Sequence, residues 1–170
     1  MTFNELAGRR YSCRKMAEKP VEQEKLDAII EAGILAPTAC NKQPFRIWVA
    51  KSPEAVKTIA SVTPFTFGAG VFFIVGAKRD EAWVRSYDNA NFADVDATIV
   101  ATHMMLAIED QGLATTWVGH FDAPKLQRLI PEMASYDLVA IFPVGYADPS
   151  ANPSPLHTTR KSAAELVATI

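Results

Sequence analysis

The sequence is poor in cysteine and has no excess of positive charge, and each shortage excludes a class of protein. Only two cysteines, Cys13 and Cys40, occur among 170 residues, in a spacing that suits neither a disulfide scaffold nor a metal site. The formal net charge is −2, whereas a protein that binds a phosphate backbone usually needs a basic surface. We therefore expect a soluble, cytoplasmic protein whose partners do not include nucleic acid.

Long apolar runs and familiar catalytic motifs are also missing. No uncharged apolar run is long enough to span a bilayer, and residues 1–5 lack the basic and apolar regions of a signal peptide. The chain shows no convincing catalytic triad, paired-carboxylate site or metal-ligand cluster, and it contains no G-x-G-x-x-G dinucleotide fingerprint. No catalytic side chain and no metal site is therefore predicted from motifs.

The composition that is present suits a single folded unit. Hydrophobic residues make up 49% of the chain and charged residues 21%, which allows a core and argues against disorder. We expect one domain over residues 1–170, either alone or as one protomer of an intimate dimer.

A basic stretch stands out near the N-terminus. The residues from Arg9 to Lys15 include four cations, and Ser12 adds a hydroxyl. In an extended chain, side chains alternate in direction, so Arg10, Ser12 and Arg14 are expected to share one face. Two guanidiniums beside a hydroxyl suit a phosphate, because the guanidinium fork matches phosphate oxygens. The alternative is a solvated basic loop without a ligand.

A second unusual segment is a polar loop with a proline at each end, Pro37 and Pro44. Thr38, Asn41 and Gln43 offer a hydroxyl and two amides, which suit recognition of a heterocycle or a sugar chain. An ordinary turn is the alternative, since asparagine and proline are common turn residues.

Hydrophobic periodicity and capping residues predict the remaining elements, mixed in order along the chain. Helices are predicted at about 2–8, 22–36, 52–61, 92–111, 122–131 and from 162 onward. Strands are predicted at 45–50, 71–77, 114–118 and 138–146. The strand at 71–77 is apolar throughout and is expected to be covered on both faces. Pro143 suggests that the last strand lies at an edge or carries a bulge.

The longest predicted helix is apolar nearly all round between residues 97 and 108. A domain of this size has limited interior for such a helix, so we predict that it contributes to a homodimer interface. His103 lies within it and is interpreted as a core or interface residue, not as a ligand.

Four segments, in sequence order, resemble the motifs of the nitroreductase family of FMN-dependent oxidoreductases. Residues 10–15, RYSCRK, resemble R-x-S-x-R/K, and residues 31–45, EAGILAPTACNKQPF, resemble E-A-x-x-A-P-S-x-x-N-x-Q-P-W. Residues 112–122, GLATTWVGHFD, resemble G-L-G-T-x-W-I-G-x-F-D, and residues 160–166, RKSAAEL, are similar to R-K-P-L-E-E-L. The resemblance spans most of the chain.

The resemblance implies an α+β fold with a central, mainly antiparallel sheet flanked by helices, in an intertwined homodimer with two FMN sites at its interface. Arg10, Ser12 and Arg160 are then expected at the phosphate and Arg14 nearer the ribityl chain or pyrimidine edge. The loop from the partner subunit and the amides near residue 119 are expected at the flavin ring. The implied FMN-binding residues are Arg10, Tyr11, Ser12, Arg14, Pro37, Thr38, Asn41, Gln43, Val118, Gly119, His120 and Arg160.

The implied activity is transfer of a hydride from NADH or NADPH through flavin N5 to a small oxidant, such as a nitroaromatic or a quinone, by a ping-pong mechanism. This explains why no catalytic side chains are found, because the cofactor carries the redox chemistry. Three alternatives remain: a flavin-handling protein with little turnover, a non-flavin anion-binding module, and a reactive pair of Cys13 and Cys40. Both cysteines are better explained as small buried fillers.

The chain departs from the family motifs at several positions. Thr38 replaces a serine and Phe45 a tryptophan, while His120 stands where small residues are common. Thr158 occupies a position where some members have a lysine, so one phosphate cation is expected to be absent. The segment 78–91, charged and irregular with at most a short helix, is the one candidate lid, which leaves the substrate open.

Overall fold

A three-stranded antiparallel sheet lies at the centre of the computed structural model, which describes residues 1–170. Its strands are β1 (Phe45–Ala50), β2 (Val71–Ala77) and β3 (Asp137–Val144), in the order β1-β2-β3. Residues 72–77 of the middle strand are all buried, which confirms the prediction of a strand covered on both faces. β3 is an edge strand of this sheet, as Pro143 predicted.

Six α-helices surround the sheet, and most begin where a capping residue predicted. They are α1 (Phe3–Arg9), α2 (Gln23–Ile34), α3 (Pro53–Ala60), α4 (Ala93–Asp110), α5 (Ala123–Leu129) and α6 (Ala163–Leu166). Thr2 and Glu5 form the capping box of α1, and Ser162 forms that of α6. Short 3-10 helices cover Ala39–Asn41, Pro131–Met133 and Pro155–Thr158. None of the helices has both the length and the apolar composition that crossing a bilayer requires.

The alternation of side chains along β2 divides the core in two. Phe73 and Val75 pack with residues of α2 and α4, whereas Phe72 and Ile74 pack on the other face with residues of α3 and α5. The contact between α2 and α4 is close, since a Cβ on Gly33 would lie 2.9 Å from Cγ of Met104. This packing holds the loop that follows α2 against the first turns of α4.

The prediction of a strand at residues 114–118 is wrong. Ala114 bridges Gly145, and Val118 bridges Ile141, in one antiparallel register that would set Thr116 opposite Pro143. Because proline has no N–H to donate, the ladder is interrupted there and only isolated bridges remain. The hydroxyl of Thr115 donates to the Pro143 carbonyl instead, at 2.8 Å.

The segment 78–91 is irregular, as predicted, but it contains no helix. Val84 and Asn91 form an isolated antiparallel bridge, and Arg85 donates to Asp88 across the turn between them. Asn91 does not occupy the N-cap position of α4, but its side chain accepts a hydrogen bond from the Ala93 amide at 3.0 Å. It therefore still satisfies one donor of the first helical turn.

Candidate functional site

Residues from both ends of the chain meet around a cavity of about 250 Å³. From the basic stretch come Arg10, Ser12 and Arg14, and the other walls come from the C-terminal segment. The lining is completed by Ser154, Leu156, His157 and Arg160, of which Leu156 is the one hydrophobic residue. The structure thus brings together the four side chains that the sequence analysis assigned to a phosphate and its surroundings.

The backbone of the basic stretch explains why alternate residues face the cavity. Ser12 forms a parallel bridge with Thr115, and the Cys13 amide donates to the Thr115 carbonyl at 2.9 Å. This pairing keeps the stretch extended, so Cys13 points into the core, where it is fully buried, while its neighbours Ser12 and Arg14 line the cavity.

The charge in the cavity is not compensated by the protein. Arg10, Arg14 and Arg160 have no carboxylate partner, and no acidic residue lines the cavity. The other two cations of the basic stretch are paired with carboxylates. Arg9 Nε lies 2.6 Å from Glu109 Oε1, and Lys15 Nζ lies 3.2 Å from Asp148 Oδ1. Three unpaired guanidiniums around one small space attract an anion.

The Lys15 pair also anchors the C-terminal segment. Hydrogen bonds from the Ser150 hydroxyl and amide, together with Lys15, lower the pKa of Asp148 to about 2. The Asp148 amide in turn donates to the Lys15 carbonyl at 3.1 Å. The carboxylate therefore stays ionised at neutral pH and ties the end of the basic stretch to the segment that carries Arg160.

Arg160 is oriented by the short 3-10 helix that precedes it. Its Nη1 donates to the carbonyls of His157 and Thr159, at 2.8 and 2.7 Å. Ser154 caps this helix by accepting from the Leu156 amide at 3.3 Å. Ser154 and His157 were not predicted from the sequence, although the Ser-Pro pair at 154–155 is a recognisable helix start. Thr158 does not line the cavity.

Tyr11, which the resemblance implied as a cofactor residue, does not line this cavity. It lines a separate surface cavity of about 270 Å³ together with Arg9 and Glu109. Burial, reinforced by the Cys13 thiol, raises the pKa of Tyr11 to about 12. The phenol is therefore protonated at every physiological pH, and the hydroxyl remains available as a hydrogen-bond donor.

The loop with Pro37, Thr38, Asn41 and Gln43 is ordered by its own hydrogen bonds but does not reach the arginine cavity of the same chain. Thr38 Oγ1 accepts from the Gln43 amide at 3.0 Å, and Gln43 Nε2 donates to Asn41 Oδ1 at 3.1 Å. Asn41 and Gln43 both have φ of 51°, in the left-handed region. These exposed amides are presented outward.

A buried carboxylate on α4 accepts a hydrogen bond from the backbone of this loop. Asp96 on α4 is 1% exposed, and its Oδ1 accepts from the Ala39 amide at 2.9 Å. Its Oδ2 is buried without a partner. A buried carboxylate is costly unless it is bonded, so its position directly below the loop identifies Asp96 as a residue that positions the loop.

The segment around residue 119 forms a third surface. Val118 is buried, whereas Gly119 and His120 are exposed. The Thr63 hydroxyl donates to the His120 carbonyl at 2.9 Å, and the His120 ring lies edge-on to Phe65 at 5.8 Å. Phe65 was not predicted from the sequence, because none of the four family motifs covers its segment.

The remaining candidate groups do not form a site. Cys13 is a buried filler, as expected, but Cys40 is exposed, which corrects the expectation for that residue, and neither is in a disulfide. No three side chains among histidine, cysteine, aspartate and glutamate are grouped to hold a metal ion.

Comparisons with known proteins show which other chains this chain resembles as a whole. Over 99% of its length, this chain resembles 98% of a nitroreductase family protein from Clostridium difficile 630, with 31% identity and a TM-score of 0.90. A nitroreductase from Desulfovibrio desulfuricans, solved in complex with FMN, is 26% identical, with a TM-score of 0.78, covering 98% of this chain and 95% of that one.

A curated relative from Methanothermobacter thermautotrophicus, named as an NADH dehydrogenase/NAD(P)H nitroreductase, is 26% identical over 156 residues, or 85% of this chain and 75% of that protein. The sequence model of the nitroreductase family matches residues 7–63 and 62–146. Because these matches cover most of the chain and agree with its α+β fold, the chain belongs to the nitroreductase family.

Proposed function

We propose that this protein is an FMN-dependent oxidoreductase that takes a hydride from NADH or NADPH and reduces a small oxidant. The observation that carries the proposal is the cavity in which Arg10, Arg14 and Arg160 converge without a carboxylate partner. The FMN complex of the relative from Desulfovibrio desulfuricans supports the choice of ligand.

The residues of the cavity fit the phosphate end of FMN. A phosphate monoester carries a charge of about −1.5 to −2 at pH 7 and three acceptor oxygens. The guanidiniums of Arg10 and Arg160 would hold these oxygens, and the Ser12 hydroxyl would add a further donor. A volume of about 250 Å³ accommodates a phosphate group, and the rest of the flavin would extend out of this cavity.

Bound FMN would supply the redox chemistry, in which its ring accepts a hydride and passes the electrons to an oxidant in a separate half-reaction. The chain would hold and polarise the ring. Arg14 would place a cation near its pyrimidine edge, which stabilises negative charge on the reduced ring. The backbone amides of Gly119 and His120 would approach the ring, with His120 and Phe65 at the substrate side.

A second copy of the chain would complete the site. The polar loop with Thr38, Asn41 and Gln43 presents its amides outward and does not line the arginine cavity of its own chain. Exposed apolar side chains that suit a subunit interface include Leu35 at the end of α2, 72% exposed, and Val95 on α4, 48% exposed. Light scattering should show a dimer at micromolar concentration, and a monodisperse monomer would contradict this arrangement.

The first experiment is the visible spectrum of the purified protein before and after addition of FMN and desalting. We expect a retained flavin spectrum that bleaches under anaerobic conditions on addition of NADH or NADPH. A retained spectrum that does not bleach would favour the alternative, a flavin-handling protein with little turnover. No retained flavin at excess FMN would refute the proposal.

Two variants test the cavity itself. Arg10→Ala and Arg160→Ala each remove a charge-assisted contact, worth about 1.5–3 kcal/mol, so the Kd for FMN should rise about ten- to one-hundredfold. Arg9→Ala is the matched control, because Arg9 is paired with Glu109 and lies outside the cavity. Fluorescence quenching of FMN measures all three. Equal affinities in the three variants would show that the phosphate lies elsewhere.

A further inference from the structure

The cavity contains one polar side chain whose charge is not permanent. His157 lines it beside three arginines and is half-buried. Histidine is the side chain whose charge ordinarily changes between pH 5 and 8. A proton on this imidazole would add one positive charge to those that the arginines bring to the cavity.

The backbone of His157 is already occupied, which leaves its ring free. The His157 amide donates to the Ser154 carbonyl at 2.8 Å, and its own carbonyl accepts from Arg160 at 2.8 Å. The imidazole nitrogens make no hydrogen bond within the chain. The ring packs edge-on to Tyr11, with the centroids 6.2 Å apart, and this aromatic contact fixes its position without using a nitrogen.

The charges around the imidazole all favour an anion as its partner. Arg10 and Arg14 from the basic stretch and Arg160 from the C-terminal segment line the same cavity, and no carboxylate lines it. Tyr11 faces the ring from the other side, and the nearby Glu109 is held by Arg9. Because the protein supplies no counter-charge, the ligand must supply the negative charge that favours a proton on the ring.

We propose that His157 is a further, proton-dependent cation of the phosphate site, so that binding of a phosphate monoester dianion is coupled to uptake of a proton at its imidazole. This inference rests on the proposed function, which places the phosphate of FMN in this cavity. Its consequence is that the contribution of His157 to FMN binding grows as the pH falls through the range in which histidine ordinarily gains a proton.

Protonation of the FMN phosphate itself weakens binding as the pH falls, which is opposite to the effect expected of His157. The two effects on the Kd must therefore be separated. The second ionisation of the phosphate, near pH 6, removes negative charge from the ligand as the pH falls and weakens binding in every variant. The ratio of two Kd values measured at the same pH cancels this ligand effect. The contribution of His157 is therefore contained in the ratio between the wild type and a variant that lacks the imidazole.

The test measures the Kd for FMN by fluorescence quenching between pH 5.5 and 8.5 at constant ionic strength. His157→Gln should match the wild type at pH 8.5 and bind about tenfold more weakly at pH 5.5, the loss expected for one charge-assisted hydrogen bond. His157→Lys, a permanent cation, should match the wild type at pH 5.5 and bind about tenfold more tightly at pH 8.5. Riboflavin, which has no phosphate, should show neither effect.

Calorimetry provides an independent readout that a merely structural role would not change. Titration of FMN at pH 7 in two buffers of different ionisation enthalpy should show proton uptake by the wild type that is absent in His157→Gln. Profiles of the wild type and both variants that superimpose would overturn the proposal while leaving the FMN site intact. Failure of all three proteins to bind FMN at any pH would instead refute the proposed function.

Discussion

Replacement of Asp96 tests whether the polar loop is held in place from within the core. Asp96 is 1% exposed, and its one hydrogen bond from the backbone is that of the Ala39 amide, at 2.9 Å. The residues that follow, Cys40 and Asn41, both adopt φ of 51°, and residues other than glycine adopt this conformation at a cost. The Asp96 bond is therefore expected to offset strain in the loop.

The magnitude follows from the type of bond. A hydrogen bond to a charged acceptor contributes about 1.5–3 kcal/mol, so Asp96→Ala should lower the free energy of unfolding by about that amount. Asp96→Ala also removes Oδ2, which is buried without a partner, and this removal is stabilising. We therefore expect the loss of unfolding free energy to lie near the lower end of that range. Asp96→Asn keeps an acceptor for Ala39 and removes the unpaired charge, so its loss should be below about 1 kcal/mol.

Urea unfolding at a fixed protein concentration measures these differences. Asp94→Ala is the matched control, since Asp94 lies on the same helix but is exposed and paired only with Arg79. That control should change stability by less than about 0.5 kcal/mol. If Asp96→Asn proved as destabilising as Asp96→Ala, an acceptor for the Ala39 amide would not account for the role of Asp96. If Asp96→Ala resembled the control, the loop would not depend on this carboxylate.

Two further predictions concern packing and acid stability. Gly76→Ala should lower the free energy of unfolding by about 1–3 kcal/mol in urea titrations, because the new Cβ would lie 2.9 Å from the Trp48 ring, whereas Gly70→Ala meets nothing within 4 Å and should be tolerated. For Asp148, the lowered pKa means that its contribution to stability is full above about pH 4 and is lost as the pH falls toward 2. Asp148→Asn should therefore reduce the urea midpoint at pH 6 and much less at pH 2. A reduction of equal size at both pH values would refute the reasoning.

Local signals in the sequence were sufficient for most of the secondary structure. Ser52 and Asp122 each accept a hydrogen bond from the backbone of the helix that they precede, at 3.2 and 2.9 Å. The continuous apolar run of β2 correctly predicted a strand buried on both faces. These features depend on residues that are close in sequence, so their effects can be predicted without knowledge of the fold.

The strand that was predicted at residues 114–118 is absent, which shows what residues close in sequence cannot predict. Residues 114–118 have the apolar character of a strand, and nothing within them prevents a ladder. The interruption comes from Pro143, which would face Thr116 only after the chain has folded. Strand pairing depends on both partners, so the effect of Pro143 on residues 114–118 is not visible in either segment alone.

Some residues of the candidate site were predictable from the sequence, whereas others were found only in the folded structure. The alternation of Arg10, Ser12 and Arg14 was predictable from the geometry of an extended chain, and the family motifs named Arg160. Only the folded chain brings His157 and Ser154 to the same cavity and leaves its arginines without carboxylates. The sequence determined which residues can bind a phosphate, whereas the tertiary structure decided which of them meet, because that depends on contacts between segments far apart in the chain.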